Sequence, residues 1–223
     1  MTNEDVDDTI AMINRMLDVM ASLVPKTSGR RGSDLRRAIG ELRVTAEHRI
    51  RTADMAAGVE NVFTALRMSG VNLAHMEKVR LHLLDEVATG NIMQAVLEFC
   101  IRAALRQDAR IVRDMAYRSR NEVEAIIAQM HQAFTQAEEV VADQLASQTY
   151  RLLIALHASV TRFLVDRARP LPRVVNYKFA DYMPSLTLAH KIYGDAARAA
   201  ELIVENNVIH PLFMPPTGRA LSR

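Results

Sequence analysis

Residues 122–169 read EVEAIIAQMHQAFTQAEEVVADQLASQTYRLLIALHASVTRFLVDRAR, and no glycine or proline interrupts the chain from 92 to 169. Apolar residues at Val123, Ile127, Met130, Phe134, Ala137, Val141 and Leu145, then Leu152, Leu156, Val160 and Phe163, keep close to heptad spacing. That is the pattern of a helix with one apolar seam. An unbroken helix over 122–169 would be about 70 Å long, against about 35 Å for a compact domain of this size. Either the helix breaks near 147–149, or the molecule is elongated and its seam meets another chain. The expectation adopted is elongation with self-association.

Upstream, Val6, Ile10, Ile13, Leu17, Met20 and Val24 share one face of a first helix. Glu4, Asp5, Asp7 and Asp8 suit the positive end of its dipole, and Pro25 is expected to end it. Residues 26–32, KTSGRRG, read as a basic loop, with Ser33 or Asp34 as the next N-cap. A second helical stretch carries Leu35, Ile39, Leu42 and Ile50, is weakened at Gly58, and closes at Ser69-Gly70. A third runs over 71–88, with Gly90 as its C′ residue and Asn91 as the following N-cap.

Composition agrees with helices. The chain has 223 residues, 49% hydrophobic and 24% charged, with no tryptophan and few glycines and prolines. A core can form and general disorder is not expected. The net charge of +2 gives no sign of a nucleic-acid binder. A single cysteine, Cys100, excludes an intrachain disulfide framework and a cysteine-based zinc cluster. Residues 1–8 are acidic where a signal peptide would be basic, and no apolar run reaches the roughly 18 residues of a membrane span. The expectation is a soluble protein made in the cytoplasm.

The character changes at Pro170-Leu171-Pro172. Residues 173–183, RVVNYKFADYM, are aromatic and β-branched and predict a strand. A short helix follows through Leu186, Leu188, Ala189, Ile192 and Tyr193, then a turn at Gly194-Asp195. A second short helix ends at Asn206-Asn207, and a proline-rich stretch over 210–223 leaves room for a closing strand. The predicted order is strand, helix, helix, strand.

The stretch SLTLAHKIYGD at 185–195, followed by Ala199-Ala200-Glu201-Leu202, Asn206-Asn207, Pro216, Gly218 and Leu221, resembles a LysM module. There, a helix ends in Tyr-Gly and a second ends in Asn before a closing strand. The wider pattern from Leu171-Pro172-Arg173-Val174 through Ile192-Tyr193-Gly194-Asp195-Ala196 to Ile209-His210-Pro211, Phe213, Pro215 and Leu221 is similar to the C-terminal end of the Mu-like phage DNA circularisation or tail protein N family. The resemblance covers residues 150–223. It implies a tail component near the baseplate or hub of a phage or phage-like particle, where LysM-like modules connect proteins. Members of that family carry a further N-terminal domain, which this sequence, opening on the helical part, is expected to lack. Within the module, the resemblance implies that Gly194, Asp195 and Asn206 hold its shape.

Candidate chemistry is sparse. His75 and His82 are seven apart on one predicted helix, about 10.5 Å along the axis, too far for one ion with bonds near about 2.1 Å. No HExxH motif and no histidine pair at i,i+4 occurs, so the seven histidines are expected to be surface or packed residues and no metal is expected. Cys100, among Val96, Leu97, Phe99, Ile101 and Leu105, reads as a buried inert thiol. No GxSxG, GxxxxGK[ST] or GxGxxG motif is present, and Glu138-Glu139 reads as a solvated face. Lys26, Arg30, Arg31, Arg36 and Arg37 form a basic cluster without interleaved aromatics, better suited to a solvated loop or an acidic partner than to nucleic acid.

The expectation is therefore a mainly α protein: an elongated helical bundle over 1–169, followed by a small LysM-like α+β docking module over 170–223. It is expected to act as a structural virion protein with no catalytic residues, cofactor or metal. Expected partners are further copies of itself, as trimer or hexamer, and neighbouring tail tube, hub or wedge subunits, with no membrane span. Tyr177, Phe179, Tyr182, His210, Phe213 and Arg219 are the expected interface residues. The alternative is a peptidoglycan-binding module that localises a tail to the cell wall, and a third reading is a protein that binds DNA ends.

Overall fold

A computed structural model describes residues 3–24, 29–142 and 147–222. They are mainly helical, with one two-stranded antiparallel sheet. The chain divides into two compact units, Met1–Met115 with Met130–Val160, and Ala116–Gln129 with Thr161–Arg223. The unit holding the sheet thus takes in stretches before residue 170.

The first unit contains α1 (Asn3–Ser22), α2 (Gly29–Arg51), α3 (Met55–Met68), α4 (Leu73–Leu84) and α5 (Asn91–Asp114). It also contains part of α6 (Arg120–Ala142) and of α7 (Ser147–Ala168). Helix α5 packs against α1, α3 and α4, while α2 joins α1 to α3. Val6, Ile13, Leu17 and Met20 are buried on the expected face of α1, joined by Met12 and Met16. Phe63 and Leu66 of α3, Met76 and Leu83 of α4, and Leu105 of α5 complete a closed interior. Burying each such side chain contributes about 1.5–3 kcal/mol.

Several expected boundaries move. Helix α2 begins at Gly29, so residues 29–32 are helical, and the Ser33 hydroxyl, inside the first turns, donates back to the Gly29 carbonyl. Pro25 and Lys26 lie outside the described residues. The stretch read as one helix to Met68 breaks at 52–54, where Ala53 has φ 55°, and not at Gly58. Gly90 is the extended N-cap of α5 and Asn91 its first residue.

The unbroken helix over 122–169 is not formed. His131 and His157 would stand about 39 Å apart on one straight helix, yet their ring nitrogens lie 3.3 Å apart. Helix α7 therefore runs beside α6 at this level. Residues 143–146, between them, lie outside the described residues. Of the seam expected on α7, Val160 is buried and Leu156 and Phe163 are partly buried, but Leu152 is 64% exposed and its place is taken by Leu153. A further break separates α5 from α6, where Met115 turns extended at ψ 145°.

In the second unit, β1 (Val174–Lys178) pairs antiparallel with β2 (Thr217–Leu221), Val174 opposite Leu221 and Tyr177 opposite Gly218. Between them come α8 (Ser185–Tyr193), a 3-10 turn (Ala196–Arg198) and α9 (Ala199–Glu205). The start of β1 is tied to the start of α6. The Val174 N–H donates to the Asn121 side-chain oxygen at 2.9 Å, and the Arg120 N–H donates to the Pro172 carbonyl at 2.8 Å. Among the described residues, no helix is long and apolar enough to cross a membrane.

Candidate docking surface

The shape of the β-α-α-β module rests on a few short-range devices. Gly194 closes α8 in the left-handed region, φ 73°, where any side chain would be strained, and its N–H donates to the His190 carbonyl. Asp195 then caps the 3-10 turn, its carboxylate accepting from the Ala197 N–H at 2.9 Å. Asn206, at the end of α9, donates from Nδ2 to the carbonyls of Leu202 and Arg219, and its Oδ1 accepts from the Arg219 N–H, each at 2.8 Å. One side chain thus ends a helix and holds the closing strand.

Two tyrosines complete the interior. The Tyr193 hydroxyl accepts from the Leu221 N–H at 3.1 Å, and the Arg198 guanidinium lies 3.8 Å over its ring while pairing with Glu201. Burial pushes both the Tyr193 and Tyr177 phenols above their ordinary range. A Cβ on Gly218 would stand 2.7 Å from the Tyr177 ring and closer still to its hydroxyl and the Asn206 amide oxygen. Only glycine lets the strand approach so near.

The six expected interface residues divide. Tyr177 is 9% exposed and packs with Leu188, Leu202 and Met214, because its position along β1 points it at the helices. Phe179, partly buried, packs on the same core, 6.0 Å from the Tyr177 ring and within 5.6 Å of the Lys191 ammonium. Tyr182, His210, Phe213 and Arg219 face solvent. Arg219 is also held internally, 3.3 Å from the Glu205 carboxylate.

The structure adds neighbours that the sequence reading left out. The Ser185 N–H donates to the Pro211 carbonyl at 2.7 Å, and Met183 bridges Met214, so residues 182–186 and 211–214 lie side by side. Tyr182 (67% exposed), Phe213 (63%), Leu186 and Leu212 are therefore exposed along one seam, and Ile209 (98%) belongs to the same loop. The His210 ring meets Phe213 edge-on at 5.7 Å. The signal was the apolar trio Ile209, Leu212 and Phe213, around Pro211 and between Asn206-Asn207 and Pro215-Pro216, with no helical or strand period to bury it.

The other candidates lie elsewhere. Cys100 is fully buried in α5, and burial pushes its thiol up to about 12. A thiol there is not ionised at neutral pH. His75 serves as a helix cap, Asn72 and His75 forming a reciprocal capping box at the start of α4. Arg30, Arg31, Arg36 and Arg37 are exposed on α2, with Arg37 3.3 Å from Asp34. Glu138, read as part of a solvated face, instead accepts a hydrogen bond from His157.

No protein-family model matches the chain, and no curated protein matches it.

Proposed function

We propose that this chain is a structural component of a phage or phage-like tail, at the baseplate or hub, and that residues 173–223 are a LysM-like connector which docks on a neighbouring tail subunit. The observation that carries this reading is the exposed apolar seam of Tyr182, Leu186, Leu212 and Phe213 on a module whose backbone is otherwise internally pinned. Apolar side chains held in water on a pinned frame gain free energy when covered and lose little conformational entropy in the process. The resemblance of residues 150–223 to the tail protein N family supplies the setting. The mechanism is burial of surface, with no turnover, and further copies of the chain are partners through the helical body.

Tail particles purified from cells that carry this gene test the proposal. The chain should be found in the particle at fixed stoichiometry, and Phe213→Asp or Leu212→Asp should stop its incorporation while leaving the isolated protein folded. Particles that incorporate the substituted protein normally would overturn the docking assignment. The second reading, attachment to peptidoglycan, is favoured by Tyr182 and Phe213, whose exposed rings can stack on sugars. It requires co-sedimentation with purified peptidoglycan that Tyr182→Ala abolishes.

A further inference from the structure

In the first unit, α6 presents His131, Phe134 and Glu138 at steps of three and four, so all three point at α7. Opposite them sits His157. Its Nδ1 lies 2.9 Å from the Glu138 Oε1, its Nε2 lies 3.3 Å from the His131 Nδ1, and its ring stacks on Phe134 at 4.8 Å with an 8° tilt. The two histidines lie 26 residues apart on different helices, so no spacing within one helix reveals the pair.

Chemistry assigns the protons. A carboxylate only accepts, so His157 donates from Nδ1 to Glu138 and its Nε2 carries a lone pair directed at His131. Without an ion, the His131 Nδ1–H donates to that lone pair across 3.3 Å. His131 is exposed, so its proton can sit on the other nitrogen, in water, and a cation can then take the place of the shared proton between two imidazole lone pairs. Two nitrogens bonded to one tetrahedral zinc ion at about 2.05 Å stand about 3.3 Å apart. Neighbouring nitrogens of a square-planar copper(II) site would stand about 2.8 Å apart. A carboxylate behind a ligating imidazole is also the arrangement that orients such a ligand and raises its basicity.

We infer that His131 Nδ1 and His157 Nε2 form a zinc clip between α6 and α7, with Glu138 as the positioning residue behind His157. Among the described residues, no group of three or more histidines, cysteines or carboxylates converges on one ion. The clip is therefore a two-imidazole site, its remaining positions filled by water or an incoming ligand. Its role is to pin one helix to the other, because an ion that binds only the folded arrangement stabilises it by mass action.

Titration calorimetry of the untagged full chain with zinc chloride at pH 7.5 tests the clip. One zinc ion per chain is expected, with binding at least ten-fold weaker in His131→Ala and about ten-fold weaker in Glu138→Gln. His75→Ala and His190→Ala should bind as the parent does. Zinc should also raise the melting temperature of the parent and not of His131→Ala, an exposed site whose substitution leaves the core intact. Absence of zinc binding in the parent, or unchanged binding in His131→Ala, would overturn the assignment.

Discussion

Asn206 and Asp108 show how much a single side chain can decide. Asn206 makes three hydrogen bonds that join α9 to β2. At about 1 kcal/mol net for each, Asn206→Ala should destabilise the module by about 2–3 kcal/mol. Urea unfolding followed through Tyr177, Tyr182 and Tyr193 checks this, and an unchanged midpoint would contradict it. Asp108, on α5, is buried with its carboxylate 3.0 Å from Arg80 of α4, itself buried. Burial pushes the Asp108 carboxyl up to about 7, although Arg80 pulls the other way. The unfolded value is about 3.9. Between these values the native state keeps a proton that the unfolded chain has lost. The contribution of this group is therefore complete below the unfolded value and declines as pH rises through the folded one. Urea midpoints at pH 5 and 7.5 should show this loss in the parent and not in Asp108→Asn. Asn206 was legible as a helix stop from its neighbours in sequence. The Arg80–Asp108 pair was not, because 28 residues separate its members and charged residues carry no apolar period that would flag them as buried.

At the scale of elements, the signals that were missed are as instructive as those that were read. Helix α1 was legible because its buried face repeats at helical spacing and acidic residues crowd its start. The break before α6 was also written in the sequence. Ser119 and Glu122 form the S-x-x-E pattern of a capping box. The Ser119 hydroxyl accepts from the Glu122 N–H at 3.3 Å, and the Glu122 carboxylate accepts from the Arg118 N–H at 2.7 Å. A run free of glycine and proline reads as continuous helix only if polar caps are ignored. Ser119→Ala should cost about 1 kcal/mol, measured as a lower urea midpoint. A substitution without effect would mean that the tether from Arg120 to Pro172 sets this boundary instead. The misplacement of Leu152 on α7 has a different origin. Leu152 and Leu153 are adjacent leucines, and a seam drawn through either looks equally regular until packing selects Leu153.

For the whole molecule, self-association through the helical body is the proposal to be tested. Leu152 lies exposed on α7 within the first unit. If copies meet there, light scattering should give a mass that is a multiple of 25.0 kDa. Leu152→Glu should lower it to that of one chain. A monomeric parent protein would end the expectation. The helical class, the change of character at residue 170 and the order of elements in the tail followed from the sequence alone, because local periodicity, capping and turn chemistry act over a few residues and are printed there in order. The turning of α7 back beside α6, the burial of Tyr177 under the module's helices, the seam between residues 182–186 and 211–214, and the meeting of His131 with His157 were decided only by tertiary structure. Each depends on which distant segments share space, and that is settled by the joint packing of many side chains, which no local pattern encodes.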